Sequence, residues 1–283
     1  IALWDLAGKK YKSPIYELLG GERKMLPAYA STMNGDKEKN GLSSPEAYAD
    51  FAEQCLELGY TGYKMHGWSA GNVKDEIEML RAVGDRVADK MKIMYDAACH
   101  LNTLSDALEV GRICDEYGFY WYEDPYKDGG VSINGNQALV QKLSTPLLVG
   151  EHVRNLETSV DMLINGSSFF SRADPDYDGG ITGSYKLVLA SEGLGVDCEI
   201  HSCGPPMRHL MAASRNSNFY EVNLLHPKCN NPWSLPVYDK NYDDLINCID
   251  KNGNVEVPTD PGLGIEYNWD YIRKNKLHTL EIS

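Results

Sequence analysis

Short apolar runs recur along the chain at a nearly constant spacing, and a helix-length segment follows each of them. The runs end at about residues 66, 96, 123, 151, 174 and 201, which gives steps of 30, 27, 28, 23 and 27 residues. Strands that alternate with helices are typical of a parallel sheet. Eight strands at this step favour a closed α/β barrel of the TIM type over an open doubly wound sheet. The first strand is not followed by a Gly-x-Gly-x-x-Gly motif, which disfavours a dinucleotide-binding sheet.

The predicted strands and helices divide the chain into three parts. We expect strands over residues 26–32, 62–66, 91–95, 119–122, 146–150, 168–173, 195–200 and 219–222. We expect helices over 1–19, 44–58, 73–87, 105–117, 136–143, 156–164 and 181–192, another helix after Pro206, and a loop over 34–44. Residues 1–24 then form a helix that enters the barrel, 25–225 form the barrel, and 226–283 form an irregular C-terminal tail. Because residue 1 already lies inside an amphipathic pattern, we expect the chain to be part of a longer protein.

Composition limits the classes of partner that this chain can bind. Its 283 residues can bury the core of a barrel, which uses roughly 250 residues. The net charge of −14, with scattered Lys and Arg, argues against a nucleic acid or an anionic membrane as partner. Seven cysteines without a Cys-x-x-Cys pair favour reduced thiols, and we find neither a signal peptide nor an apolar stretch long enough to span a membrane. We therefore expect a cytoplasmic protein. We also expect that it forms a homo-oligomer and that it acts on a small molecule.

Three carboxylates stand directly after apolar runs: Asp96, Glu123 and Glu151. Each position is typical of the C-terminal end of a buried parallel strand. Such strand ends meet at one mouth of a barrel, so the three acids would face each other there. Because carboxylates buried together repel and lose their hydration, we expect a cation to bind among them.

Candidate bases flank these acids on both sides. Lys64 and His66 alternate with Met65 on the second strand and therefore share one face. Asp174 and His201 end the sixth and seventh strands, where an Asp beside a His would orient the imidazole and raise its basicity. The alternatives are a surface Lys with a core His, and two loop residues that never meet.

In this order and spacing the motifs resemble the enolase superfamily, in particular its mandelate racemase and acid-sugar dehydratase branch. The resemblance covers nearly the whole chain. Its motifs are ALWDLAGK (2–9), PIYELLGG (14–21), YDA (95–97), EDP (123–125), GEH (150–152), Asp174 followed by GGIT (179–182), EIHS (199–202) and PGLGI (261–265).

The resemblance implies a (β/α)7β barrel in which Asp96, Glu123 and Glu151 hold one Mg²⁺. In the family, this ion binds the substrate carboxylate and stabilises the enediolate that forms when the α-proton is removed. The resemblance also implies an N-terminal α+β capping domain, which would end just before this chain begins, and a tail that packs back towards it. Glu221 matches a substrate-contacting acid of one family member. His152 directly follows a ligand, where it either supports that ligand or has no role.

Two positions depart from the family pattern. The branch usually has Lys-x-Lys on the second strand, where this chain has Lys64 and His66. The division between carboxylate binding and proton transfer at these two residues is therefore open. The third strand often continues as Asp-x-Asn, but the corresponding Ala98 cannot form a hydrogen bond to a substrate hydroxyl. We expect His100 or Cys99 to shape the pocket instead.

Three functions are compatible with these residues. The first is dehydration of an α,β-hydroxylated carboxylic acid, with a sugar acid expected, in which His66, Lys64 or His201 removes the α-proton. His201, supported by Asp174, then protonates the departing β-hydroxyl to give a 2-keto acid. The second function is racemisation or epimerisation of an α-hydroxy acid or an amino acid, including a hydroxyproline, by the same residues. The third is a metal-binding or scaffold protein without activity, which the His at position 66 alone favours.

Overall fold

The computed structural model describes residues 1–35, 41–127, 129–228, 236–239 and 241–281, and its centre is a curled sheet of parallel strands. The strands are β1 (Met25–Thr32), β2 (Gly62–His66), β3 (Lys92–Asp96), β4 (Trp121–Glu123), β5 (Leu147–Val149), β6 (Phe170–Ala173), β7 (Asp197–Ile200) and β8 (Tyr220–Leu225). Their order is β7-β6-β5-β4-β3-β2-β1-β8, with every adjacent pair parallel. The predicted α/β barrel is confirmed. The middle of the predicted 34–44 loop and Cys229 lie outside the described residues.

Two helices precede the first strand, and one helix follows each of the first seven strands and covers the outside of the sheet. The helices are α1 (Ala2–Tyr11), α2 (Ile15–Leu18), α3 (Pro45–Leu58), α4 (Val73–Val87), α5 (Leu104–Tyr117), α6 (Ile133–Val140), α7 (Leu156–Ile164), α8 (Gly180–Gly193) and α9 (Pro205–Ala212). The predicted start and end of α3 are correct. Ser44 caps its first turn by accepting a hydrogen bond from the Ala47 N–H, and Gly59 ends it with φ 106°.

Two helix predictions were wrong in extent. The helix expected over 1–19 is two helices, because Lys12 adopts a left-handed conformation at φ 56° and ends α1. Pro14, which has no N–H to continue a helix, then precedes α2. The helix expected over 136–143 begins earlier, since the Ser132 side chain accepts a hydrogen bond from the Gly135 N–H and caps α6.

Strand register brings the candidate site residues to one level of the barrel. His66 pairs with Asp96, and Asp96 pairs with Glu123, so three candidate residues lie in one row at the strand ends. A buried apolar layer fills the barrel below this row. It consists of Tyr29, Met94, Trp121, Leu148 and Phe170. The polar residues at the mouth therefore lie directly above a tightly packed apolar layer.

The edges of the sheet meet through hydrogen bonds between β7 and the segment that leads into β8. The Cys198 N–H donates to the Asn216 carbonyl at 2.7 Å. The buried Glu199 carboxylate accepts bonds from the backbone N–H groups of Asn218 and Phe219. These contacts bring β8 back beside β7, as closure of a barrel requires.

The tail is less irregular than its composition suggested. It contains a strand, β9 (Asn254–Glu256), which pairs antiparallel with the start of β1, and a short helix, α10 (Trp269–Lys274). The buried Arg208 side chain on α9 donates to the carbonyls of Asp243 and Glu256 and pairs with Asp244 at 2.6 Å. These bonds attach the tail to the barrel.

Candidate active site

The three predicted metal ligands lie together at the mouth of the barrel. Asp96 and Glu123 are the last residues of β3 and β4, and Glu151 follows β5 after Gly150. Gly150 has φ 136°, and a Cβ there would lie 3.2 Å from the backbone of Arg172. A larger residue would therefore not let this turn approach β6 so closely. Carboxylate oxygens of the three acids lie within 4.8 Å of one another.

This donor set fits Mg²⁺. All three ligands are carboxylates, which are the hard oxygen ligands that Mg²⁺ prefers. Asp96 and Glu123 are buried, whereas Glu151 is partly exposed and so leaves one side open to the mouth. Burial and the neighbouring Asp96 raise the pKa of Glu123, Arg172 and Lys64 lower it, and the result is about 7. A divalent cation would relieve this repulsion.

Lys64 lies beneath the acids and is not a surface residue. Its Nζ is 3.2 Å from Asp96 Oδ2, 2.8 Å from Glu123 Oε2 and 3.0 Å from Glu221 Oε1. Burial opposes its charge, but Glu123 and Glu221 outweigh burial and hold the pKa of Lys64 well above its usual value. The structure therefore excludes the alternative of a surface Lys.

His66 reaches the acids from the β2 side. Its Nε2 lies 3.0 Å from Asp96 Oδ2, and its side chain keeps 12% of its surface exposed. Burial disfavours the charged ring, but the attraction and hydrogen bond of Asp96 are stronger, so the pKa of His66 is raised. Of the two basic groups on β2, His66 is the more accessible from the mouth.

Asp174 and His201 do meet, which excludes the alternative of two separate loop residues. His201 Nδ1 lies 2.5 Å from Asp174 Oδ2, and Nε2 lies 3.2 Å from Glu151 Oε2. Burial lowers the pKa of His201, but the bond to Asp174 and the charge of Glu151 produce a net rise. The pair therefore flanks the acids on the side away from His66.

Sequence reasoning missed Arg172, which connects several of these groups. It lies on β6 with its side chain fully buried, and Nε is 3.0 Å from Glu123 Oε1. Its Nη2 is 3.0 Å from Glu221 Oε2 and donates to Tyr29 Oη at 3.1 Å. An Arg inside the otherwise apolar and small run of β6 was the available signal, because a buried Arg needs acidic partners.

Glu221 belongs to the cluster, although not at its open side. It is buried, and burial alone would raise its pKa, but Lys64 and Arg172 lower it below the usual range. Glu221 also accepts a hydrogen bond from the Ser202 N–H at 2.8 Å. It holds the two cations in place, and substrate contact by Glu221 remains a prediction.

His100 and His152, two other predicted pocket residues, lie on loops at the mouth. His100 is half-buried, and burial is the main cause of its lowered pKa, which the charge of Asp96 opposes. His152 is more exposed, and its Nε2 lies 3.3 Å from Glu151 Oε1 and 3.4 Å from Asp124 Oδ2. His152 therefore contacts a candidate ligand directly.

Fold and site together define a class: a parallel α/β barrel with a carboxylate cluster and flanking Lys and His side chains at the ends of its strands. The family model described as "Enolase C-terminal domain-like" matches residues 47–271. The chain therefore belongs to the enolase C-terminal domain family, in which its homologues are acid-sugar dehydratases and mandelate racemase-like enzymes.

Individual relatives agree with this assignment. Arabinonate dehydratase of Saccharolobus solfataricus is 28% identical over 93% of this chain and 67% of its own length. D-gluconate dehydratase of Thermoproteus tenax is 26% identical over 100% of this chain and 56% of its own length. A crystal structure of D-glucarate dehydratase from Agrobacterium tumefaciens, complexed with magnesium, has a TM-score of 0.89 and 32% identity over 98% of this chain and 72% of that chain. The chain thus spans 56% of one curated relative and 67% of the other.

The described ranges contain neither a membrane-spanning helix nor a disulfide. None of the helices in the described ranges is long and apolar enough to cross a membrane. Six cysteines lie in the described ranges, and none of them forms a disulfide.

Proposed function

We propose that this protein is a Mg²⁺-dependent dehydratase of an α,β-hydroxylated carboxylic acid, with a sugar acid as substrate. The observation that carries the proposal is the His201–Asp174 pair, whose Nε2 faces the acid cluster from the flank away from His66. Elimination of a β-hydroxyl needs a proton acceptor at the α-carbon and a proton donor at the leaving oxygen. Imidazoles on two flanks can supply both. The names of the sugar-acid dehydratases among the relatives support the same reaction.

The residues at the bottom of the site would stabilise the negative charge that develops on the substrate. Asp96, Glu123 and Glu151 would hold Mg²⁺, which supplies Lewis-acid stabilisation of the charge that develops on the substrate carboxylate. Lys64, 1% exposed, contributes a fixed positive charge below that position and keeps the carboxylates in place. We therefore assign proton transfer on this side to the accessible His66 and charge stabilisation to Lys64.

The protons then move between two imidazoles and the substrate. His66, in its neutral form, takes the α-proton, and the C–H electron pair moves into the substrate carboxylate, where the negative charge develops. The pair then returns to form the new carbon–carbon double bond as the β-carbon–oxygen bond breaks. His201 Nε2 donates a proton to the departing oxygen, which leaves as water, and the enol product tautomerises to the 2-keto acid. Asp174 holds Nδ1 of His201, which directs Nε2 towards the acid cluster, where the substrate would bind.

A racemase or epimerase is the second candidate. The observation that favours it is the presence of one imidazole on each flank of the acid cluster. Removal of the α-proton by one imidazole and its return by the other would invert the α-carbon without loss of a hydroxyl. The two candidates share every step up to proton removal, so only the product separates them.

Replacement of His201 by Asn tests the proposed acid. The protein with Mg²⁺ is incubated in D₂O with sugar acids, α-hydroxy acids and hydroxyprolines and followed by proton NMR. We expect the unmodified protein to form a 2-keto acid from one substrate, and His201→Asn to form it about 10²- to 10⁴-fold more slowly. His278→Asn, at an exposed position of the tail, is the control and should keep full activity.

Each other outcome excludes one reading. Unchanged dehydration in His201→Asn would exclude the His201–Asp174 pair from the mechanism. Exchange of the α-proton with no keto product would identify the racemase or epimerase. Exchange with none of the substrates would favour the inactive scaffold. A homo-oligomer in the cytoplasm also remains a proposal, which light scattering and cell fractionation can test.

A further inference from the structure

A second group of potential ligands lies beside the acid cluster, and the proposed reaction does not use it. Cys99, Asp124 and His152 present a thiol sulfur, a carboxylate oxygen and an imidazole nitrogen that all lie within 4.8 Å of one another. We propose that these three residues form a binding site for a second divalent cation, of the zinc class.

The backbone holds the first two residues side by side. The Cys99 N–H donates to the Asp124 carbonyl at 2.9 Å, and the Ala97 N–H donates to the Glu123 carbonyl at 3.1 Å. These bonds fasten the loop after β3 to the end of β4. His152 follows β5, the next strand, so the three ligands come from the ends of three adjacent strands. Their proximity is therefore a property of the sheet.

Asp124 is the residue that points to a ligand. Its side chain is fully buried, and neither of its carboxylate oxygens accepts a hydrogen bond from the described part of the chain. His152 Nε2 approaches Oδ2 to 3.4 Å. A buried carboxylate without hydrogen bonds is strongly unfavourable, and more so beside Asp96, Glu123 and Glu151. A cation bound to Asp124 removes this penalty.

The donor types select the metal. A thiolate and an imidazole together with one carboxylate suit the borderline-soft Zn²⁺, and three protein ligands leave a fourth position open. The neighbouring Asp96–Glu123–Glu151 cluster has oxygen donors alone and suits Mg²⁺. The two sites therefore differ in the ion that each prefers. His152, with 39% of its side chain exposed, gives the ion access from the mouth.

Cobalt titration tests the site, because a thiolate bound to Co²⁺ produces a charge-transfer band in the near ultraviolet. The protein is stripped of metal, saturated with Mg²⁺ and titrated with Co²⁺. We expect a band that saturates at one Co²⁺ per chain and disappears when Zn²⁺ is added. Because the Mg²⁺ cluster has no sulfur donor, this band reports the second site whether or not the protein proves to be a dehydratase.

Two substitutions and one control assign the band. Cys99→Ala should abolish it, and His152→Ala should raise the dissociation constant for Co²⁺ at least about 10-fold. Cys248→Ala, at another half-buried cysteine in the tail, should leave the band unchanged. Absence of the band in the unmodified protein, or its persistence in Cys99→Ala, would overturn the proposal.

A measurement on the unmodified protein covers the case in which Cys99→Ala does not fold. Alkylation of each cysteine is followed by peptide mass spectrometry with and without Zn²⁺, in the presence of Mg²⁺. We expect Zn²⁺ to slow alkylation of Cys99 and to leave the rate at Cys203 unchanged. Equal alkylation of Cys99 under both conditions would also overturn the proposal.

Discussion

At the scale of single residues, two buried cations hold the candidate site together. Lys64 and Arg172 contact the carboxylates of Asp96, Glu123 and Glu221 from below, at distances between 2.8 and 3.2 Å. A buried charge is tolerated because its partners are close and fixed. The arrangement leaves the mouth free for an ion and a substrate.

Arg172 offers a test of this charge balance. Arg172→Met keeps an unbranched apolar side chain at this position but leaves Glu123 and Glu221 with one fewer cation, and we expect a loss of about 3 to 5 kcal/mol in unfolding free energy. Urea denaturation followed by circular dichroism measures it. The control Arg215→Met breaks an exposed pair with Glu192 and should cost less than about 1 kcal/mol. Equal losses in the two variants would contradict the structural role of Arg172.

At the scale of elements, strand register decides which residues can react together. The β2–β3 and β3–β4 pairings place His66, Asp96 and Glu123 in one row. A shift of one residue in either strand would turn its functional side chain towards the helices. The turn at Gly150 likewise positions Glu151 beside these residues.

The packing of α9 on α2 supplies a test by pH. Buried His209 accepts a hydrogen bond from the Tyr16 N–H at Nδ1 and contacts the Leu263 carbonyl through Nε2. Burial, the main cause, lowers its pKa from 6.5 to about 4. Between these values the unfolded chain binds a proton that the folded chain does not. The contribution of His209 to stability should therefore fall by about 3 kcal/mol as pH falls from 6.5 to 4.

Comparison with a variant isolates this contribution. His209→Gln keeps a donor and an acceptor but does not titrate, so its urea midpoint should fall less over the same pH range. The difference between the two curves is the share of His209. His278→Gln, on the exposed tail, should follow the unmodified protein. If His209→Gln and the unmodified protein had the same pH dependence, His209 would not be the responsible group.

At the scale of the whole molecule, the proposed binding of a metal ion by the acid cluster would be linked to stability. Three strand ends supply its ligands, so the site exists only when the sheet is formed. Binding to the folded state alone stabilises a protein by RT ln(1 + [L]/Kd), about 2.7 kcal/mol at 100 times Kd. Mg²⁺ should therefore raise the melting temperature in calorimetry relative to the protein in EDTA.

Variants locate that effect. Asp96→Asn should lose most of the increase caused by Mg²⁺, because it removes one of the three proposed ligands. Glu157→Gln, an exposed acid of α7, is the control and should retain the full increase. An equal increase in Asp96→Asn and Glu157→Gln would place the ion elsewhere.

Local patterns explain how far the sequence could predict this protein. Apolar runs at steady steps define the strands, and turn and capping residues such as Ser44 and Gly59 define helix ends. A carboxylate at a strand end can be read from the sequence in the same way, as Asp96 and Glu123 show. The end of α1 at Lys12 could not be predicted in this way, because nothing in the residue type of Lys12 indicates a left-handed conformation.

The sequence by itself determined the barrel and the identity of the groups at its mouth. Only the tertiary structure decided their pairing: Lys64 with Glu221, Arg172 with Glu123, and Cys99 with Asp124 and His152. The physical reason is the distance along the chain over which each feature is determined. Strand periodicity is set by neighbouring residues, whereas contacts across a barrel depend on the curvature and register of the whole sheet, which the packing of all its strands and helices determines.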